Sequence, residues 1–405
     1  MTQGIQIGGT TLGQGLQRVI ATGITGLSAG SVSVPDFDSS GKSYIISNEA
    51  GLGVRSGGTN TVNSITALFS FNNSSKVLSW TFPSVNVNPA FSSTVGVGTP
   101  TNVSTAYILI QEGGASPGNR FGAEINNPDG SLNVDDRYPV LSVVYQDSTT
   151  TAYSSPQGAG MPITFGGSSA YAINLGQQTQ FFAGIPFFSY PSSQMPFPSV
   201  DFNINTFVPF FGPSEIGLTT SQSVSQGFQI AHSGANINPP YNVASTFTVK
   251  KASVAVYNPG RLITPTQGIA FFNESGQGMW NSSVKTMRIL AHHTESNILN
   301  LNVNSFVDIT HEATTQPYFY INSTYARLVK LVRVSQFQIN VAAPSLVRIN
   351  STTTRLFWAQ YLVNRINNSA RPGAFYLASA QTNVASTTTP IRIDCIIGEI
   401  LDPTT

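Results

Sequence analysis

A chain of 405 residues has room for two or three folding units, each able to bury a core. Charged residues make up only 9% of it, and 36 Gly and 24 Pro sit among many Val, Ile, Thr and Phe, which excludes coiled coils and long amphipathic helices. With 40% hydrophobic residues, 10% aromatics and a net charge of +1, disorder is excluded as well.

The first segment, residues 1–115, opens without a basic start or a continuous apolar run, and no stretch of the chain is long and apolar enough for a membrane helix. A soluble chain made in the cytoplasm and not inserted in a membrane is expected. Gly4 to Ile7 runs into Gly8-Gly9-Thr10-Thr11 and then Leu16, Val19 and Ile20, a degenerate opening hairpin. Val85 and Val87 follow Trp80 to Pro83 in a strand-like alternation, and Tyr107 to Ile110 closes the segment as a strand. Glu112 to Gly118 is Gly- and Pro-rich punctuation.

The second segment, residues 116–262, opens on a hairpin that repeats in the third. GAEINNPDGSLNVDDRYPVLSVV at 122–144 aligns without a gap onto GIAFFNESGQGMWNSSVKTMRIL at 268–290, matching Asn127 with Asn273 and Gly130 with Gly276. Pro128 suits a tight turn, and Gly130 supplies the left-handed residue that returns the chain to its ladder. Phe181 to Phe211 holds ten aromatic residues interleaved with prolines, including Phe187, Phe188, Phe210 and Phe211. Prolines remove ladder donors, so this stretch is expected to be a partly extended loop. Its rings need cover from another subunit, from their own domain, or from a receptor or sugar; the first is preferred. Ser253 to Tyr257 ends the segment as a strand, before Asn258-Pro259-Gly260.

The third segment, residues 263–405, alternates Leu299, Leu301 and Val303 with asparagines, and Phe337, Ile339 and Val341 with Gln and Asn, the period-two pattern of strands with one face in a core. Leu356 to Ile366 reads equally as a helix or a buried strand. Ile391 to Ile397 closes as a strand around Cys395, the single cysteine, which is expected to be a buried small hydrophobe. Ten of the 19 basic residues lie in this segment, and no acid stands between Ala313 and Ile393. Arg348, Arg355 and Arg365 are the chosen binding candidates there, for phosphate or carboxylate on an envelope or a neighbouring subunit; scattered surface arginines paired with acids elsewhere in the chain are the plainer reading. Nucleic acid is disfavoured, because charge density is low and no binding motif accompanies it.

Catalytic and metal chemistry finds little purchase. His292-His293-Thr294-Glu295 and His311-Glu312 resemble metal ligands in type, but neighbouring strand residues face opposite ways, so exposed or hydrogen-bonded histidines are expected. Asn127, Asp129 and Gly130 fit a turn better than a calcium loop. No Walker loop, Gly-x-Ser-x-Gly elbow or dinucleotide fingerprint occurs, so neither a cofactor nor a metal is expected.

The openings, above all GIAFFNESGQGMWNSSVKTMRIL, with GSVSVPDF at Gly30 to Phe37 and VLSWTFPS at Val77 to Ser84, resemble a repeated hairpin of tail and tail-fibre structural proteins of tailed bacteriophages. The resemblance covers about a quarter of the chain and carries no catalytic residue; the first opening lacks the turn asparagine. It implies a virion protein that is not an enzyme. The expectation is an all-β chain of three tandem sandwich-like domains, 1–115, 116–262 and 263–405, with related opening hairpins. Its expected role is in assembly and host attachment, as a homo-oligomer, a trimer if it is a fibre, contacting other virion proteins and host surface polysaccharide. A tail-associated polysaccharide depolymerase and a jelly-roll capsid or decoration protein are the alternatives.

Overall fold

The computed structural model describes residues 16–47, 67–89, 106–115, 124–152, 181–189, 246–257, 269–302, 305–323, 328–332, 336–367 and 383–402, apart from positions 27, 83 and 128, together with short strands elsewhere. The described residues form strands, turns and bends with no helix among them, so the fold is all-β and its sheets are antiparallel.

One arrangement of three strands occurs three times. Arg18–Ile24 and Lys42–Ser47 flank Ala106–Glu112. Ser142–Ala152 and Phe181–Ser189 flank Thr246–Tyr257. Thr286–Asn302 and Tyr318–Ser323 flank Asn383–Leu401. In every copy the strand after the opening hairpin and a middle strand take the last strand of the segment between them, so the last strand closes the sheet. The first and third copies also carry a second sheet of matching chain order. Val77–Thr81 lies between Gly30–Ser33 and Leu68–Asn72, and Thr353–Asn367 lies between Phe306–Thr310 and Gln336–Arg348.

The last strand of the first copy shows why its sequence does not alternate. Ala106, Ile108 and Ile110 enter one core cluster while Tyr107 and Leu109 enter another on the opposite face, so a continuous apolar run is buried on both sides. The first of these clusters draws on all three copies. It joins Val19, Ile46 and Ile108 to Val143, Phe187 and Val254 and to Met287, Tyr320 and Ile396. Each large side chain fully buried there contributes about 1.5–3 kcal/mol. One core therefore runs through all three copies.

The backbone joins the copies as well. Arg18 bridges Val140 between the first and second, with Leu141 N–H donating to the Gln17 carbonyl at 2.9 Å. Ser142 pairs with Thr286 between the second and third, where Val143 N–H donates to the Lys285 carbonyl at 2.8 Å. Phe188 pairs with Phe319 across the same boundary. Between the third and first, the Tyr320 hydroxyl accepts from Ser47 N–H at 2.9 Å, and Asn322 Nδ2 donates to Ser47 Oγ at 3.3 Å.

The two aligned hairpins share their geometry. Glu124–Asn126 pairs with Leu132–Asp135, and Ala270–Phe272 with Gly278–Asn281, each with a register shift before the last residue of its first strand. Gly130 and Gly276 donate back to Asn127 and Asn273 at 2.9 and 2.8 Å, with φ of 83° and 72°. A side chain at either glycine would meet no atom within 4 Å, so only the left-handed backbone restricts the position. Gly276→Val is expected to cost on the order of 1 kcal/mol or more in denaturant unfolding, and Gly130→Val the same. A neutral result at both would sink the shared-turn account.

Two expectations change here, and one left open is decided. The stretch expected to be a loop holds three strands, Phe181–Ser189, Pro196–Val200 and Phe210–Phe211. Among the described residues the edge of Phe181–Ser189 away from Thr246–Tyr257 pairs at Phe188–Phe319, past Pro186, while a register shift between Phe182 and Ile185 absorbs the irregularity on the first edge. Leu299 is 47% exposed although its alternation pointed it inward, and its neighbour Ile298 is buried. Asn297 has φ of 62° and the pairing shifts between Glu295 and Ile298, which exchanges the two faces of the strand. Leu356 to Ile366, readable either way, lies within the strand Thr353–Asn367.

Candidate functional site

The arginines singled out by sequence all stand on strands of the second sheet of the third copy. Phe306 and Asp308 lie opposite Phe357 and Arg355, and Val347 lies opposite Arg355 on the other side, so cross-strand pairing puts all five on one face. Arg355 grips Asp308 with two parallel hydrogen bonds of 2.7 and 2.9 Å and lies over the Phe306 ring, 3.7 Å from its centre. The Arg355 hydrogen bonds hold the Asp308 carboxyl below its usual range, and Asp308 in turn raises Arg355. Phe306 is 46% exposed and Ile349 45%, while Val347 and Phe357 are buried beside them.

Arg348 is committed elsewhere. Its guanidinium donates to the Thr315 carbonyl at 2.7 Å, the Thr314 carbonyl at 3.1 Å and the Asn350 carbonyl at 3.2 Å, tying the loop before Tyr318 to the hairpin turn at 349–352. Arg365 pairs its backbone with Gln338, and its side chain lies outside the described residues. The three arginines therefore do not act as one free basic surface: two are engaged by acceptors from the protein itself.

Arg355→Gln is expected to cost about 1 kcal/mol, through loss of a partly exposed bidentate pair and a cation–π contact. Because the Asp308 pKa is lowered on folding, the pair stabilises at neutral pH, and that share fades as pH falls through the lowered value. Urea unfolding of the parent and the variant at neutral and acid pH measures this. An equal difference at both pH values would rule out the ion pair as its source.

The aromatic candidates divide. Phe187 is fully buried and stacks on Tyr320 with ring centres 5.5 Å apart, so it belongs to the shared core and offers nothing to a ligand. Phe188 is half-buried on the same strand. Phe210–Phe211 pairs with Ile216–Gly217, and the side chains of Phe210 and Phe211 lie outside the described residues.

A polar cluster that the sequence reading passed over lies where the first copy meets the second. Arg18 and Asp135 are both 2% exposed, with Arg18 Nη1 3.7 Å from Asp135 Oδ2. Arg18 Nη2 donates to the Gly113 carbonyl, and Arg137 grips Asp135 from the other side, its Nε at 2.7 Å. Asp135 Oδ1 also accepts from the N–H groups of Arg137 and Tyr138 at 2.9 and 3.2 Å. Burial pulls the Arg18 guanidinium below its ordinary value, and Asp135 opposes that. Next to it, Glu112 accepts from Gln17 at 3.2 Å and from the Tyr44 hydroxyl at 3.0 Å, and burial pushes the Tyr44 hydroxyl well up. The available signal was the polar pair Gln17-Arg18 set between Leu16 and Val19-Ile20.

Asp129, His293 and His311 each make local hydrogen bonds. Asp129 Oδ1 accepts from Ser131 N–H at 2.9 Å and from its hydroxyl, closing the turn. His311 bonds the Glu312 carbonyl at 2.7 Å and Thr354 Oγ1 at 3.0 Å, and His293 meets Glu295 at 3.3 Å. Among the described residues no three His, Cys, Asp or Glu side chains are placed to hold a metal ion. Cys395 is 1% exposed and burial pushes its thiol well up, as expected of a small core residue. Compared with protein-family models, with curated proteins and with solved structures, the chain matches none.

Proposed function

We propose that the protein is a non-enzymatic structural component of a tailed-phage particle, placed in the tail, tail fibre or tail tip, where it serves assembly and host attachment. The observation that carries this reading is the threefold use of one strand arrangement around a common core, introduced in two copies by hairpins of the same turn geometry. Those hairpins are the residues in which the resemblance to phage tail proteins resides. A repeated all-β unit with few surface charges offers rigidity and repeated contact surfaces, which an assembly component needs. The charged side chains described above support the same reading, since Arg18, Arg348 and Arg355 are spent on holding strands and turns together.

Mass spectrometry and antibody labelling of purified particles test the assignment. The chain is expected among the virion proteins with label at the tail, and its absence from particles, or label on the head, refutes it. Incubation with host surface polysaccharide separates the enzymatic alternative: new reducing ends would favour a depolymerase.

A further inference from the structure

The second sheets of the first and third copies allow a comparison within one chain. Leu78 and Leu356 are both fully buried on the central strands, and each stands two residues before a tryptophan, Trp80 or Trp358, which gives the two sheets one register. On the face opposite these leucines, the row Ser31, Ser79 and Ser70 of the first copy becomes Phe306, Phe357 and Ser345 in the third. The next row, Ser33, Val77 and Asn72, becomes Asp308, Arg355 and Val347. The first copy builds this sheet with serines, so the fold does not call for an aromatic ring at Phe306, yet one stands there 46% exposed.

The groups around the ring are held in place without being used up. Phe357 fixes it from one side, with centres 5.6 Å apart, and the Arg355 guanidinium lies over it. Arg355 spends Nε and one hydrogen of Nη2 on Asp308, which leaves three guanidinium N–H groups among the described contacts, and each Asp308 oxygen keeps a lone pair. Donors and acceptors therefore stand side by side in a pair whose charges cancel. Size and charge narrow what fits. Phe306 leaves on the order of 100 Å² of ring exposed, against the roughly 800 Å² that a stable protein interface takes from each partner, so a second copy or another protein is a poor match. A phosphate-bearing ligand is disfavoured as well, because Asp308 already answers the Arg355 charge.

We propose that Phe306, Asp308 and Arg355 form a binding site for a neutral sugar unit of a polysaccharide. The C–H face of a pyranose packs on the electron-rich face of an aromatic ring, while its neighbouring hydroxyls donate to Asp308 and accept from Arg355. Ring, carboxylate and guanidinium already hold one another, so little ordering remains to be done on binding. The inference gives the attachment role proposed above a surface and rests on that reading for its biological setting.

Affinity electrophoresis of the purified full chain tests the site, in gels that carry dextran, mannan, galactan or a neutral glycan from the host surface. Retardation by at least one of them is expected, relieved by its free oligosaccharide and unchanged at high salt. Phe306→Ser, which installs the residue type of the first copy, is expected to weaken binding by about tenfold or more while circular dichroism shows the chain still folded. Phe306→Tyr, which restores the ring, is expected to recover binding. Retardation by none of these polysaccharides, equal binding by Phe306→Ser, or binding confined to anionic polysaccharide and lost at high salt overturns the inference. A dimer of the parent that Phe306→Ser dissociates overturns it too. Sugar binding by the purified protein together with absence of the chain from particles keeps the site and removes the virion reading; presence in particles without sugar binding does the reverse.

Discussion

Replacing Asp135 by alanine is expected to destabilise the protein by about 3–5 kcal/mol, because it leaves a buried guanidinium without its counter-charge. Arg18 is 2% exposed and has nowhere to snorkel, so the loss is not recovered by hydration. Asp135 also caps the N–H groups of Arg137 and Tyr138, which would lose their acceptor together with the charge. Equilibrium unfolding in urea gives the magnitude. The double variant Arg18→Met with Asp135→Leu provides the control: removing both charges together should cost much less than removing one. If Asp135→Ala is within about 0.5 kcal/mol of the parent, the cluster is not the lock between the first and second copies.

Replacing Phe187 by alanine is expected to cost about 3–5 kcal/mol, the range for a large aromatic deleted from a core that cannot collapse around the space. The side chain is fully buried, stacks on Tyr320 from the third copy, and shares a cluster with Ile46 and Ile108 from the first. The loss should therefore be felt by all three copies. Fluorescence and circular dichroism are expected to report one cooperative transition in the parent and in the variant, displaced to lower denaturant in the variant. Separate transitions, with only one moved by Phe187→Ala, would show three independent cores.

Much of the local structure was legible because its cause is local. Few charges and many β-branched and aromatic residues specify an all-β chain, since long helices need solvent-facing residues that this chain lacks. The Asn-x-x-Gly turns were legible because a left-handed residue is required three positions after the asparagine, and both Gly130 and Gly276 take positive φ. The burial of Cys395 followed from the isoleucines beside it.

What only the tertiary structure decided is which faces meet, and therefore what the chosen residues do. Phe187 was read as part of a loop in search of cover, yet Ile185 and Phe187 face the core from a regular strand. The period-two pattern gave Leu299 the wrong face because the shift at Asn297 depends on how two long strands pair, which the residues of one strand do not encode. Which groups hold Arg348 and Arg355 could not be read from the sequence, because their acceptors, Thr314, Thr315 and Asp308, lie 33 to 47 residues away. Composition and turn chemistry act over a few residues and could be read directly; the common core joins Val19 to Ile396, and contacts across such separations are settled only when the whole chain closes on itself.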